Sequence, residues 1–267
     1  MRTLFLAWQD SATRRWFPVG RLTYNGTTYE FRYTEGARIA SHDGGFTGLP
    51  SFPELGLVYE SNRLFPLFSE KILSGSDAER EAYVEWLALP EDEDDPMAML
   101  AGGGVRQIGE KLEIFPCPEP DEHGRYNIHF FSHGLRHFPA DAIERVERMA
   151  PGDPLLLVLD IQNSHDPRAL MLRTAEQTPG DLHLVGYCPR YLLDDALGLM
   201  LKTHASPTVT VRRVNLPPAP IQYRLLVSMT MVWPRGFHPF TSRAYLPIEP
   251  DVFTPRKPAT EPESQGA

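Results

Sequence analysis

Only two cysteines, Cys117 and Cys188, occur in 267 residues. That excludes a disulfide framework and agrees with a reducing compartment. No run of about 18 apolar residues occurs, so the sequence offers no membrane-spanning helix. The opening "MRTLFLAWQDSATRRW" has an apolar stretch too short for a secretory signal, and Gln9 and Asp10 end it. Enzyme signatures are missing as well: there is no G-x-S-x-G, no H-E-x-x-H and no phosphate-binding loop. The Gly102–Gly104 run lacks the Lys-Ser/Thr such a loop needs and reads as a turn. These absences describe a cytoplasmic, non-enzymatic protein with no cofactor and no membrane partner.

What the chain does have is punctuation. Its 26 prolines and 20 glycines favour short strands and many loops over a helical bundle. The formal charge is −9, which argues against nonspecific nucleic-acid binding. The charge is unevenly spread, however. Residues 1–124 carry 11 Lys+Arg against 21 Asp+Glu, net −10, whereas residues 125–248 carry 13 against 10, net +3. Seven of the nine histidines also fall in 125–248. A segment that meets a phosphate backbone is therefore to be sought there.

Residues 1–118 open with strand-like runs, "LFLAW", "FPVGRLTYNG" and "TTYEFRYTEG". Tyr29, Phe31 and Tyr33 alternate with polar residues at strand period, and Asn25-Gly26 marks a hairpin. "LFPLFSEKIL" and "SDAEREAYVEWLAL" read as helices, the second opened by a capping box of Ser76 and Glu79. "PEDEDDP" (90–96) reads as a solvated acidic turn. A polar stretch, 118–124, marks a domain boundary. Beyond it, strands are predicted near 126–131, 155–160, 168–173, 183–188, 207–213 and 222–233, with one main helix over 189–202. In that helix Leu192, Leu193, Ala196, Leu197, Met200 and Leu201 form the apolar stripe, and Asp194 and Asp195 face out. The Pro-rich tail, 249–267, is expected to be disordered. The fold class is therefore mainly β (α+β): a β-rich domain with helices at 1–118, then a small OB-like barrel at 125–248.

Four motifs in order, "HGLRHF" (133–138), "LDIQNSHDPRALML" (159–172), "LVGYCPR" (184–190) and "SMTMVW" (228–233), make residues 125–248 resemble a HIRAN domain. "VGRLTY…YEFRYTEGA", "LFPLFSEKIL" and "MLAGGGVRQIGEKLEIFPCP" make residues 1–118 resemble the N-terminal subdomain of HipA-type toxin kinases. The whole chain is similar to a bacterial family that combines these parts. The first resemblance implies an OB-like barrel that binds single-stranded DNA and holds its free 3′ end. Such a protein would serve DNA repair, phage defence or a toxin–antitoxin-like system. The second implies a docking domain without kinase chemistry, since no His-Arg-Asp catalytic loop or metal-binding Asp-Phe-Gly equivalent is present. That domain would bind a kinase, toxin or defence effector.

Holding a 3′ end takes a hydroxyl acceptor, cations for the last phosphates and a flat surface for the base. The motif match puts Asp166 at the acceptor, with Asn163 bracing it, and Arg136 and Arg190 at the phosphates. His137, His165 and Tyr187 are the stacking candidates, with Met231 or Trp233 closing the pocket. The two histidines stand where the better-studied domains carry tyrosines, and their smaller faces imply weaker stacking than the roughly 1–3 kcal/mol per base of a large aromatic. Plainer roles stand beside these. Asn163 and Asp166 can build an Asx-turn. Arg136 can pair with Asp141 or Glu144, Arg190 can be a solvated helix-end residue, and Tyr187 and Trp233 can be core. His129, His133 and His137 are four residues apart, but on a strand entering a glycine turn, so no metal site is expected. A nuclease with an unrecognised acidic site is the remaining alternative.

Overall fold

The computed structural model describes residues 2–73, 76–90, 95–102, 112–163, 166–175, 180–249 and 257–258. The chain is mixed α+β and mainly strands, organised as two six-stranded sheets in two compact units. The passage between Cys117 and Pro118 falls at the edge of the polar stretch 118–124, but two further stretches are exchanged between the units. The first unit gathers residues 1–81, 92–117 and 240–267, and the second residues 82–91 and 118–239.

The first unit runs β1 (Arg2–Gln9), β2 (Trp16–Tyr24), β3 (Tyr29–Tyr33), α1 (Glu35–Asp43), β4 (Val58–Ser61), α2 (Pro66–Leu73), the start of α3 (Asp77–Trp86, which from Ala82 on belongs to the second unit), α4 (Pro96–Ala101) and β5 (Leu112–Pro116). Its sheet order is β4-β3-β2-β1-β5, and Lys257–Pro258 pairs in parallel outside β4. Those two residues are the described part of the tail beyond Glu249. The predicted hairpin lies between β2 and β3, where Asn25 Oδ1 accepts from the amides of Thr27 and Thr28. Alternation buries Tyr29, Phe31 and Tyr33 on one face. Phe31 stacks on Phe52 at 4.0 Å, and Phe65 and Phe68 complete the aromatic centre. The Tyr33 hydroxyl accepts from the Leu49 amide (2.7 Å) and donates to the Phe52 carbonyl (2.5 Å), which satisfies a buried phenol.

Residues 240–248 belong to this unit for a physical reason. Phe240 lies 5.3 Å from Phe5 and 5.5 Å from Phe115, Tyr245 lies 5.1 Å from Phe5, and the Ile248 amide donates to the Tyr33 carbonyl. The capping box at α3 forms: the Ser76 amide donates to Glu79 Oε2 (2.7 Å) and the Glu79 amide to Ser76 Oγ (3.3 Å). Of the acidic turn, residues 91–94 lie outside the described residues, as do Gly103 and Gly104; Asp95 caps α4 through the Met97 amide.

The second unit contains β6 (Arg125–Phe131), α5 (Ala140–Glu147), β7 (Pro154–Leu159), β8 (Leu170–Thr174), β9 (Leu184–Tyr187), α6 (Leu193–Thr203), β10 (Thr208–Val214) and β11 (Leu225–Val232). All six predicted strands are present. Sheet order is β6-β11-β10-β7-β8-β9. The sheet curls until its last strand meets the end of its first: the amides and carbonyls of His133 and Tyr187 pair reciprocally at 2.9 Å, and Ser132 Oγ donates to the Val185 carbonyl at 2.6 Å. Gly186 makes that closure possible. Its φ is +120°, and a Cβ there would stand 1.8 Å from Ser132 Oγ. Tyr126, Ile128, Phe130, Val227, Met229 and Leu172 fill the interior.

Two differences from the sequence reading have local causes. Helix α5 lies where the sequence reading places no helix; it is short, and Pro139 stands before it. Helix α6 starts at Leu193, after a 3-10 turn over Arg190–Leu192, which shifts its phase. Asp195 and Leu199 are therefore buried, and Leu201 is 75% exposed. Residues 82–89 pack on the outer side of this sheet: Leu87 lies against Phe131 and Leu226, and Trp86 stacks on Tyr223 at 5.6 Å.

Candidate nucleic-acid interface

The turn between β7 and β8 is built by its own polar side chains. Asp160 and Ala169 close it, the Asp160 amide donating to the Ala169 carbonyl at 2.8 Å. Asn163 Oδ1 accepts from the Asp166 amide (3.1 Å), and Asp166 Oδ1 accepts from the Arg168 amide (3.0 Å). The plain turn-building role is thus filled. It leaves Asp166 Oδ2 aimed elsewhere, 3.7 Å from Arg190 Nε. Arg168 Nε lies 3.7 Å from the other oxygen, and the Asp166 side chain is 14% exposed. A carboxylate has about four lone-pair sites, so one already tied to a turn amide can still accept from a hydroxyl.

Tyr187 locks this turn to the barrel closure. Its backbone pairs with His133, and its hydroxyl donates to Asp160 Oδ2 at 3.0 Å. Asn163 Nδ2 donates to the same oxygen at 3.1 Å. Burial and the Asp160 carboxylate push the phenol pKa up, so Tyr187 stays a protonated donor. Its ring lies 5.8 Å from Phe138 and would be 3.5 Å from a Cβ at Gly134, whose φ is +76°. Gly134 and Phe138 flank the 3-10 turn over Leu135–His137, which carries Arg136 and His137. Both are exposed, and Arg136 Nε donates to His137 Nε2 at 3.0 Å. Arg190 opens the second 3-10 turn, three residues beyond Tyr187, and is 37% exposed.

Five sequence-predicted residues therefore share one connected corner or its flank: Asn163, Asp166, Tyr187 and Arg190 directly, and Arg136 through the turn packed on Tyr187. His137 accompanies Arg136. His165 lies outside the described residues. Met231 and Trp233 are not part of this corner. Met231 pairs with Tyr126 at the far end of β6, six residues from Ser132 and so about 20 Å away along a strand. Met231 is buried, and Trp233 packs on Tyr126 and Phe237 at 5.9 and 5.1 Å. Position on the strand, rather than residue type, separates them from the cleft. The three evenly spaced histidines fall on three elements: His129 on β6, His133 in the closing pair and His137 in the 3-10 turn.

A HIRAN domain is among the structural neighbours. The solved HIRAN domain of human HLTF shares 16% identity over 40% of this chain and 74% of its own, at a TM-score of 0.29. A protein from Lactobacillus plantarum shares 16% identity over 40% of this chain and 99% of its own, at 0.28. Likenesses this low carry no argument about what this chain does. No family model matches the chain, and no curated protein matches it.

Sequence reasoning missed two residues of the corner, Asp160 and Arg168. Asp160 receives hydrogen bonds from both Tyr187 and Asn163, and Arg168 Nη1 donates to Asp194 at 2.7 Å while its Nε faces Asp166. A signal for both was available. Asp160 ends the apolar run of β7, where a hairpin's closing residue sits, and Arg168 follows Asp166 by the two residues an Asx-turn spans. Together the corner offers two carboxylates, Asp160 engaged by Tyr187 and Asn163 and Asp166 beside Arg190, a phenol, and guanidinium groups from three separate segments. Such a set can take a terminal sugar hydroxyl and the phosphates next to it.

Proposed function

We propose that the second unit binds the end of a single-stranded nucleic acid, DNA with a free 3′-hydroxyl being the substrate the sequence resemblance favours. The supporting observation is the juxtaposition of Asp166 and Arg190, whose side chains approach to 3.7 Å beside the barrel closure although they lie 24 positions apart in sequence. In this reading Asp166 Oδ2 accepts from the terminal hydroxyl. Arg190 and Arg168 turn from internal carboxylates toward phosphate, and Arg136 holds the next phosphate along. The second unit as a whole carries 12 Lys+Arg against 15 Asp+Glu, net −3, so the attraction for phosphate is local to the corner, from Arg136, Arg168 and Arg190.

The test is fluorescence anisotropy with labelled oligonucleotides ending in 3′-hydroxyl or 3′-phosphate. The hydroxyl end should bind at least about tenfold more tightly, equivalent to roughly 1.4 kcal/mol. Asp166→Ala should remove the preference. Arg136→Ala should weaken both ends alike and lower the salt slope by about one. Equal binding of the two ends by the wild type would sink the end-recognition reading.

A further inference from the structure

The exposed 3-10 turn over Leu135–His137 carries two polar side chains bonded to each other. Arg136 Nε donates to His137 Nε2 at 3.0 Å. A guanidinium keeps its Nε hydrogen at any pH a fold survives, so it cannot be the acceptor. His137 Nε2 is therefore the bare nitrogen of a neutral imidazole, and the ring proton sits on Nδ1. Protonation of that ring would set two N–H groups against each other across the same 3.0 Å. The bond and the charged imidazole exclude one another.

The bond occupies only the Nε side of the guanidinium, so the two terminal nitrogens of Arg136 stay available for an oxyanion. No acid competes for them. Arg168 and Arg190 both face Asp166, each at 3.7 Å, whereas among the described residues no carboxylate pairs with Arg136 or His137. The titratable groups around the pair are few. β9 brings Tyr187, and the 3-10 turn over Ile221–Tyr223 brings Tyr223. Burial pushes both phenols up, helped at Tyr187 by the Asp160 carboxylate, so both stay neutral below pH 8. His133 precedes the turn, and Asp141 and Glu144 follow it on α5.

We infer that His137 is a second phosphate ligand beside Arg136, one that becomes charged as the strand binds. The inference rests on the nucleic-acid reading above for its phosphate. Without a strand, the neutral ring edge of His137 holds Arg136. A phosphate arriving at Arg136 favours the imidazolium, which releases the Arg136–His137 bond and leaves two cations on one anion. The proton comes from solvent. Binding thus takes up a proton, and by linkage affinity rises as pH falls across the imidazole range, about pH 8 to 5. Stacking of a base would use the ring face instead and needs no charge.

The test has two readouts. The first is fluorescence anisotropy of the full chain with a 3′-hydroxyl oligonucleotide at about pH 8 and about pH 5.5. The wild type should bind about fivefold more tightly at the lower pH, the worth of one further exposed charge about 4 Å from a phosphate. Its salt slope should steepen by about 0.7, one more phosphate contact on a single strand. His137→Gln keeps an acceptor for Arg136 without a titrating ring, and should match the wild type at pH 8 but lose the gain. His137→Phe keeps a stacking face and should lose the gain too. The second readout needs no ligand: nitrogen-15 spectra of the imidazoles should show His137 bare at Nε2 at pH 8, and protonated there once Arg136→Ala removes the donor. Equal wild-type affinity at the two pH values would overturn the inference. So would a gain that survives in His137→Gln or His137→Phe, or an Nε2 proton on wild-type His137 at pH 8. Equal binding of 3′-hydroxyl and 3′-phosphate ends removes end recognition alone and leaves the pH comparison decisive, whereas no binding of either at any pH sinks both.

Discussion

At the scale of single residues, the second unit depends on a position that has no side chain. Gly186 sits where β9 meets the end of β6. A methyl group there would overlap Ser132 Oγ at 1.8 Å and the His133 carbonyl at 2.8 Å, on a backbone with φ +120°. Gly186→Ala should therefore destabilise by roughly 3–5 kcal/mol, the range of severe single substitutions. Urea denaturation followed by tryptophan fluorescence measures it. Adding Ser132→Gly should recover only part of the loss, because the carbonyl contact and the positive φ remain. A Gly186→Ala variant within about 1 kcal/mol of wild type would mean the strands do not close this way. The sequence shows a glycine in "LVGYCPR" but not what it approaches, since that partner lies 54 positions earlier. The turn that Asn163 and Asp166 build was legible because its hydrogen bonds are local. The Tyr187–Asp160 hydrogen bond was not, because it joins segments 27 positions apart.

At the scale of elements, period-2 alternation identified β3, apolar runs between turn residues identified the other strands, and the capping box identified the start of α3. What alternation does not give is phase where two helical types abut. The 3-10 turn at Arg190–Leu192 advances α6 so that Asp195 turns inward and Leu201 outward. Helix α5 did carry a signal, Ala142 and Val146 four positions apart, both buried, in a run too short to stand out. An ion pair ties it down. Arg145 donates to both oxygens of Asp181, at 2.5 and 2.9 Å, just ahead of β9. The hydrogen bonds from Arg145, followed by the charges of Arg145, His183 and Arg148, hold the Asp181 carboxyl below its ordinary value of 3.8. A depressed acid pKa means the unfolded chain takes up the proton at higher pH than the fold does. The contribution of Asp181 is thus complete above about pH 4 and is lost as pH falls through the lower folded value. Asp181→Asn should lower the urea midpoint at pH 7 and cost progressively less from pH 4 to pH 2.5. A difference independent of pH over that window would show that the pair contributes through packing alone.

At the scale of the whole molecule, composition marked a boundary near residues 118–124, and charge divided the chain there. Charge reports which surface meets water, not which side chains pack together. The packing instead gives residues 240–248 to the first unit, through Phe240 and Tyr245 against Phe5, and residues 82–91 to the second, through Leu87 against Phe131 and Leu226. A chain cut at the apparent boundary therefore yields two fragments, each missing part of its own core. Fragment 1–118 exposes the ring faces that Phe240 and Tyr245 cover. Fragment 125–248 exposes Phe131 and Leu226, and also loses the hydrogen bond from Asn215 to the Trp86 carbonyl (3.0 Å). Removing Leu87 alone is comparable to a large-to-small core substitution, about 2–5 kcal/mol. The fragment 82–239, with residues 92–117 of the first unit replaced by a flexible Gly/Ser linker, keeps Leu87, Trp86 and every strand of the second sheet, so it should melt cooperatively, whereas 125–248 should melt earlier and over a broader range. Circular dichroism melts of the two fragments compare them directly. If 125–248 is as stable as 82–239, then residues 82–91 are a covering strip rather than part of that core, and the boundary read from composition is the physical one.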